Sequence, residues 1–354
     1  MLKFLIAGGA GFMGSNFSRL LLDQDHFVVN LDSLTYAASI KTINDLKDKN
    51  NYQFIKCDIN NSKKVRIILK KYQPNFVVNF AAETHVDRSI DNPEPFIKTN
   101  ILGFFNLINE TKKYCDSLKK EKKKRFRFIQ ISTDEVYGDI LKGSTTEDYP
   151  IISSSPYSAS KSSAEQIVLS YFRTYKLPAI ISRSSNNFGP YQFPEKLVPL
   201  SIINAIEKKK INIYGDGKQI RSWLFVNDHS KAILDLIKKG RVGDIYNIAS
   251  KDELTNLSVV RKICRILDQS EIRSKNNSYS KLINFVKDRP GHDKRYSQNT
   301  NKLRKKTGWN EKIKFDEGLK LTVDWYLNNK KWWKDIRRNL YQGHRLGINE
   351  KKKT

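Results

Sequence analysis

Apolar residues in this chain gather in short, nearly continuous runs. Residues 2–7, Phe27–Leu31, 52–57, Phe76–Phe80, Phe126–Ile131 and Leu177–Arg183 are such runs. Each has the length of a strand buried on both faces. Between them, Phe17–Leu22, 63–72 and Asn100–Tyr114 repeat their apolar residues at helical spacing. Strand alternating with helix predicts an α/β fold built on a doubly wound parallel sheet. The Lys-rich segment 119–125 interrupts this pattern and reads as a solvated loop. Beyond residue 185 the rhythm changes, with a helix expected over 196–207 and a strand over Ile211–Tyr214. The expected organisation is therefore 1–185 as one domain, with some later segments returning to it. A smaller mixed domain over 186–342 and a flexible basic tail over 343–354 complete it.

The first strand runs straight into Gly8-Gly-Ala-Gly11-Phe-Met-Gly14, and a helix follows. Glycines at this spacing allow a tight turn and bring backbone N–H groups close to a pyrophosphate at the helix N-terminus. The turn makes the first domain Rossmann-like. The second strand ends in Asp32, whose carboxylate suits the ribose hydroxyls of an adenosine and repels a 2′-phosphate, so NAD is favoured over NADP. Asp58 and Ile59 follow the third strand and fall beside the adenine. After the fourth strand, the small Ala81 and Ala82 let a cofactor pass, and Thr84 can meet a ligand phosphate or hydroxyl. His85 reads as a packing residue.

Composition changes this picture little. The 354 residues are 39% hydrophobic and carry a net charge of +27. The lysines are dispersed, which describes a solvated surface rather than a nucleic-acid interface, although polyanions should attract it at low salt. No run of eighteen apolar residues occurs, so no membrane span is expected. The apolar N-terminus is too short for a signal peptide. Cys57, Cys115 and Cys264 lie too far apart for a metal or disulfide framework, and a reducing, cytoplasmic setting is the expectation.

Candidate chemistry centres on Ile131-Ser-Thr-Asp-Glu-Val-Tyr-Gly138. Thr133, Asp134 and Glu135 stand where a parallel strand ends, a place for acid and base chemistry. Tyr157 and Lys161 are four apart and share a helix face. An ammonium near a phenol favours phenolate and makes the Tyr a usable base. Further on, Asn186 and Asn187 offer amides to a ligand, and Arg221 a guanidinium for a diphosphate. Trp325, Trp332 and Trp333 read as core.

The Gly8/Gly11/Gly14 turn with Tyr157-x-x-x-Lys161 resembles the extended short-chain dehydrogenase/reductase superfamily. Leu31–Ala37, Ser132–Gly138, Asn186–Lys196, Tyr214–Arg221 and Asp288-Arg-Pro-Gly-His292 resemble the dTDP-glucose 4,6-dehydratases within it. The likeness runs from residue 2 to about Asn329 and extends to closing helices over 300–333. It implies an NAD site that also includes Phe12, Met13, Ser33, Leu34, Thr35, Phe80 and Thr99. It implies a nucleotide-sugar site of Thr84, Thr133, Asn186, Lys196, Leu197, Asn212, Tyr214, Arg221, Asn256, Arg289 and His292. It further implies a hydro-lyase of deoxysugar biosynthesis and a homodimer joined through the Ala159–Arg173 helix. By the same resemblance Tyr157, assisted by Lys161, takes the 4-OH proton and Thr133 stabilises the C4 oxygen. Glu135 takes the C5 proton, and protonated Asp134 serves the departing 6-OH. The chain departs from the family pattern at Phe188 and Phe225, where Tyr is usual, at Ser222, at Ser182–Ser185 and at Ala249–Asp252. A related epimerase or decarboxylase, an inert dinucleotide-binding scaffold and a nucleic-acid-binding protein are the alternatives. The first has no use for an Asp-Glu pair.

Overall fold

The computed structural model describes residues 1–270 and 278–339. The expected basic tail lies outside the described residues. The larger layer is a seven-stranded parallel sheet in the order β10-β6-β5-β4-β1-β2-β3. Its strands are β1 (Lys3–Ala7), β2 (Phe27–Asp32), β3 (Tyr52–Lys56), β4 (Phe76–Asn79), β5 (Arg127–Thr133), β6 (Ala179–Ser184) and β10 (Ile245–Ile248). Alternation along the strands explains the continuous apolar runs. Phe4, Ile6 and Val28 enter one core, whereas Leu5, Ala7, Val29 and Leu31 enter the core on the opposite face.

Helices cover both faces. On one lie α1 (Phe12–Leu22), α9 (Val226–Lys239) and α11 (Asn301–Thr307), contributing Phe17, Leu21, Ile233, Leu236 and Leu303. On the other lie α2 (Ser62–Tyr72), α5 (Phe104–Asp116) and α7 (Pro156–Tyr175), with Ile68, Leu107, Ile108 and Val168 buried. The short helices α3 (Val86–Asp91) and α4 (Glu94–Phe96) follow β4, and a π-helical stretch, Ile97–Gly103, leads into α5. The expected loop at 119–125 is instead a short helix, α6 (Lys120–Arg125). None of its residues is buried, so no apolar periodicity announced it; its lysines and glutamate are good helix formers, and Lys123 is tied to Asp116 at 2.7 Å.

Between β6 and β10, and again after β10, the chain leaves the large sheet. β7 (Asn186–Phe188), β9 (Ile220–Phe225) and β11 (Glu253–Thr255) form a three-stranded sheet, and β8 (Ile211–Tyr214) pairs with β12 (Ile283–Val286). Around them pack α8 (Leu197–Ile206), α10 (Asn256–Gln269), α12 (Phe315–Asn328) and α13 (Lys330–Asn339). Phe188 and Phe225 meet here edge to face at 5.7 Å, both buried, a setting with no need of a phenol hydroxyl. Trp333 is fully buried in the same core, with Trp325 and Trp332 packed against it.

Candidate active site

Strand β5 delivers the reactive triplet. Thr133 ends the strand and caps a single 3₁₀ turn, Asp134–Tyr137. Its hydroxyl accepts the Glu135 N–H at 3.2 Å and donates to Asp134 Oδ1 at 3.3 Å. This local geometry sends three consecutive side chains in different directions. Asp134 is buried, and its Oδ2 has no hydrogen-bond partner among the described residues. Burial, then the neighbouring Glu135 charge, pushes its pKa up to about 8, against the pull of Arg221. Burial raises Glu135 as well, but three cations, Arg289, Lys196 and Arg221, favour its carboxylate form. The two acids therefore sit in different fields.

Helix α7 brings in the second couple. Ser155 and Ser158 form a capping box around Pro156, which fixes where the helix starts. Tyr157 then stands in the first turn, its ring edge-on to Phe96 at 6.3 Å and its phenol hydrogen-bonded to Thr133. Burial and the Glu135 charge hold the phenol proton above its ordinary range. Lys161 lies one turn on and lines the same cavity as Tyr157. Its ammonium donates to the Ile131 carbonyl of β5 at 2.6 Å. A buried ammonium needs an acceptor, and a strand carbonyl is a stronger one than a neutral phenol. Burial lowers Lys161 to about 8, with Glu165 one turn further on opposing the shift. Glu165 itself is held by Arg183, at 2.7 Å in the closest of three contacts, which accounts for the departure at 183.

Two adjoining cavities open at the C-terminal ends of β1, β4 and β5, at the switch in strand order. Every residue expected around the dinucleotide lines one or both, with one exception. Leu34 does not reach the wall; in the left-handed region at φ 59°, its N–H donates to Asp32 Oδ1 at 2.8 Å and closes the turn. Asp32 also accepts the Ala10 N–H at 2.9 Å, so it orders the Gly-rich turn as well as facing the cavity. Gly8 has φ +80° and lies so near β4 that a Cβ would stand 2.4 Å from the Ala81 nitrogen. A Cβ on Gly14 would stand 2.3 Å from the Gly8 carbonyl oxygen. Gly11 differs: a Cβ there meets only the Gly8 oxygen, at 3.4 Å, and otherwise projects into open space shared by both cavities. That open cradle at the start of α1, beside a buried carboxylate, fits a dinucleotide pyrophosphate and ribose.

A further cavity continues past Glu135 into the C-terminal part. Asn186, Lys196, Leu197, Asn212, Tyr214, Arg221, Asn256, Arg289 and His292 all line it, so the expected sugar-nucleotide set is gathered in one place. Thr84 and Thr133 face the adjoining first cavity. Arg221 lies over the Tyr296 ring at 4.2 Å and donates to the Asp293 carbonyl at 2.8 Å. His292 Nδ1 is 2.6 Å from Asp288 Oδ1, and its pKa is lowered to about 4, chiefly by burial. Sequence reasoning missed several wall residues. His85, set aside as packing, lines this cavity, as do Asp87, Glu195 and Tyr296. Glu195 lines the first cavity too and is paired with Arg88 at 3.1 Å. Its place directly before Lys196 in the Asn186–Lys196 motif was the available signal.

The sequence matches the GDP-mannose 4,6 dehydratase family over residues 5–322. A dTDP-glucose 4,6-dehydratase of Neisseria meningitidis serogroup B is 45% identical over 354 residues, covering 98% of this chain and 99% of that protein. The crystal structure of dTDP-glucose 4,6-dehydratase from Bacillus anthracis in complex with NAD superposes with a TM-score of 0.84 at 40% identity, over 95% of this chain and all of that one. The enzyme of the same description from Streptomyces venezuelae, solved with NAD and TYD bound, gives 0.86 at 35% identity with the same coverage.

Proposed function

The chain belongs to the GDP-mannose 4,6 dehydratase family, together with the dTDP-glucose 4,6-dehydratases it resembles, and from that premise we propose that it is itself an NAD-dependent dTDP-glucose 4,6-dehydratase. The observation that carries this reading is the continuous path of cavities. It passes from the Gly-rich turn, over Thr133, Asp134, Glu135 and Tyr157, to Arg221 and Arg289. An epimerase needs the Tyr and Lys alone, whereas here two carboxyls in different fields stand beside them.

The difficulty of the reaction is that the C5 proton of glucose is not acidic until C4 is a ketone. When bound, NAD would supply the acceptor for the C4 hydride and the donor that returns it to C6. The chain supplies the rest. Tyr157, ionised to phenolate with the help of the Lys161 ammonium on the same helix face, takes the 4-OH proton and becomes the neutral phenol. The Thr133 hydroxyl donates to the C4 oxygen and stabilises charge there. Glu135, favoured as carboxylate by three cations, takes the C5 proton. Asp134, whose pKa of about 8 keeps it protonated at neutral pH, gives its proton to the departing 6-hydroxyl as water leaves. Burial of Asp134 and of the Tyr157 phenol keeps bulk water from competing for these protons. The reaction is a hydro-lyase step, and its product is the 4-keto-6-deoxy sugar. Assaying dTDP-, UDP-, CDP- and GDP-linked hexoses side by side tests the assignment, which fails if the dTDP-glucose rate is no higher than the others.

Asp32 gives a separate test of the cofactor. The native protein should hold NAD well ahead of NADP. Asp32→Asn removes the charge opposed to a 2′-phosphate, so the NAD/NADP affinity ratio should fall by at least ~10-fold in direct titrations. An unchanged ratio removes Asp32 from the ribose site.

The dimer is inferred from surface chemistry. Ile97, Leu102, Phe105 and Tyr175 are 43–55% exposed on the π-helical stretch, α5 and α7, which pack together on one flank of the large sheet. An exposed apolar group of this kind marks an association surface. Light scattering should give twice the chain mass, and Phe105→Asp with Leu102→Asp should halve it. No helix among the described residues is long and apolar enough to cross a membrane.

A further inference from the structure

Asp87 belongs to none of the motifs that point to the reaction, yet it occupies an unusual position. It lies in α3, directly after His85 and Val86, and its carboxylate is almost completely buried. Both oxygens are taken by side chains from the C-terminal part. Oδ1 accepts from the Arg289 guanidinium at 2.9 Å, and Oδ2 accepts from the Tyr214 hydroxyl at 3.0 Å. Tyr214 ends β8 and Arg289 follows β12, the parallel strand paired with it, so both reach Asp87 from the same end of that two-stranded sheet. One carboxylate thus ties α3 to the ends of β8 and β12 at the second cavity's wall.

The neighbouring contacts show what this junction is for. Lys196 donates to the Thr84 carbonyl at 2.9 Å, and Arg88 pairs with Glu195. The segment Thr84–Arg88 is therefore the seam along which the cofactor part grips the second part. At this seam the single Asp87 carboxylate holds two side chains that face the site, Arg289 and Tyr214. Arg289 is a long chain with several rotatable bonds, and ordering it on a ligand costs rotamer freedom unless the protein has already done so. Its contact with Asp87 occupies one terminal nitrogen. Its buried Nε makes no hydrogen bond among the described residues. A guanidinium anchored at one end with a donor still unspent is preorganised for an anion.

We propose that Asp87 is a positioning residue for the diphosphate of the nucleotide-sugar: it fixes the Arg289 guanidinium and the Tyr214 phenol at the wall of the second cavity. This role rests on the nucleotide-sugar reading of the site. It acts on binding of the non-reacting end of the substrate, not on the proton transfers at Thr133, Asp134, Glu135 and Tyr157.

The test is Asp87→Asn in the full-length protein with its cofactor, using dTDP-glucose for kinetics and dTDP for calorimetry. Asn keeps the shape and removes the charge that anchors Arg289. Loss of a hydrogen bond to a charged group should raise KM, and the Kd for dTDP, roughly 10–50-fold, with kcat within about threefold of wild type. In an Arg289→Gln background the same substitution should add less than about a twofold change, because Asp87 acts through Arg289. A merely structural Asp87 would lower the melting temperature without this split between KM and kcat and without the coupling. An unchanged Kd for dTDP in Asp87→Asn, or equal effects in both backgrounds, overturns the role. Should Asp87→Asn not accumulate as folded protein, Tyr214→Phe decides the matter, since it leaves Asp87 in place and breaks one of its two bonds. It should raise KM about threefold, and an unchanged KM there overturns the role. Failure of the wild type to bind dTDP defeats the substrate assignment and this role with it, whereas binding by the wild type together with an unaffected Asp87→Asn defeats the role alone.

Discussion

Tyr157→Phe should leave a folded protein that retains NAD and binds dTDP-glucose but turns nothing over. The loss should reach the ~10⁴-fold upper end for a positioned proton-transfer group. The ring stays, so its edge-on contact with Phe96 stays. Only the oxygen bonded to Thr133 goes, and with it the acceptor for the 4-OH proton. Mixing the variant with substrate in a single turnover should give no absorbance from reduced nicotinamide and no ketone. A Tyr157→Phe protein that makes the keto sugar at the wild-type rate would show that some other group removes the 4-OH proton. Lys161→Met should also slow the first step. In that variant the Ile131 carbonyl loses its donor, so a small drop in stability should accompany the loss of rate.

The acid pair carries the second large effect. Asp134→Asn and Glu135→Gln should each slow turnover ~10²–10⁴-fold. They differ in what survives. Glu135→Gln should lose exchange of the C5 proton with deuterated solvent, because no base remains to remove it. Asp134→Asn should keep that exchange and stall at departure of the 6-hydroxyl. The pH dependence follows from the direction of each shift. Asp134 has a raised pKa of about 8 and acts in its protonated form, so turnover should hold through neutrality and decline as pH rises through about 8. Glu135, also raised, acts as carboxylate, so turnover should rise with pH on the acidic side. Asp134→Asn should lack the alkaline limb. Wild-type rates in either variant would mean that the acids at the end of β5 serve structure alone.

What the sequence disclosed, it disclosed through local rules. Six of the seven strands of the large sheet were legible because burial on both faces keeps them mostly apolar; the four-residue β10 was not read. The Gly-rich turn and the Tyr157/Lys161 pair were legible because their partners lie within a few residues. Spacing on one helix brought Tyr157 and Lys161 to the same face, but it could not show that β5 passes beneath with a carbonyl that takes the ammonium. The helix Lys120–Arg125 escaped notice because it buries nothing and so has no periodicity to read. Asp87 escaped for the opposite reason. Its two partners stand 127 and 202 residues away along the chain, and no local pattern encodes contacts at that distance. Tyr296 belongs to the same class of residues, given meaning by what folds onto it.

The late return of the chain to the large sheet has a consequence for its birth on the ribosome. Strand β6 has β10 as its outer neighbour, and α9 and α11 complete the cover of one sheet face, yet all three are synthesised after the β7–β9 excursion begins. A nascent chain that has emerged only as far as Ser184 offers a naked strand edge and a half-clad apolar face. At translation speeds of ~5–20 residues per second, the stretch from there to Ile248 keeps that edge open for on the order of 3–13 s. During those seconds neighbouring nascent chains on one messenger can pair edge to edge, or a chaperone can shield the gap. The interleaving that places one active site between two parts of the molecule thus opens, during synthesis, an interval in which an unpaired sheet edge stands exposed to aggregation.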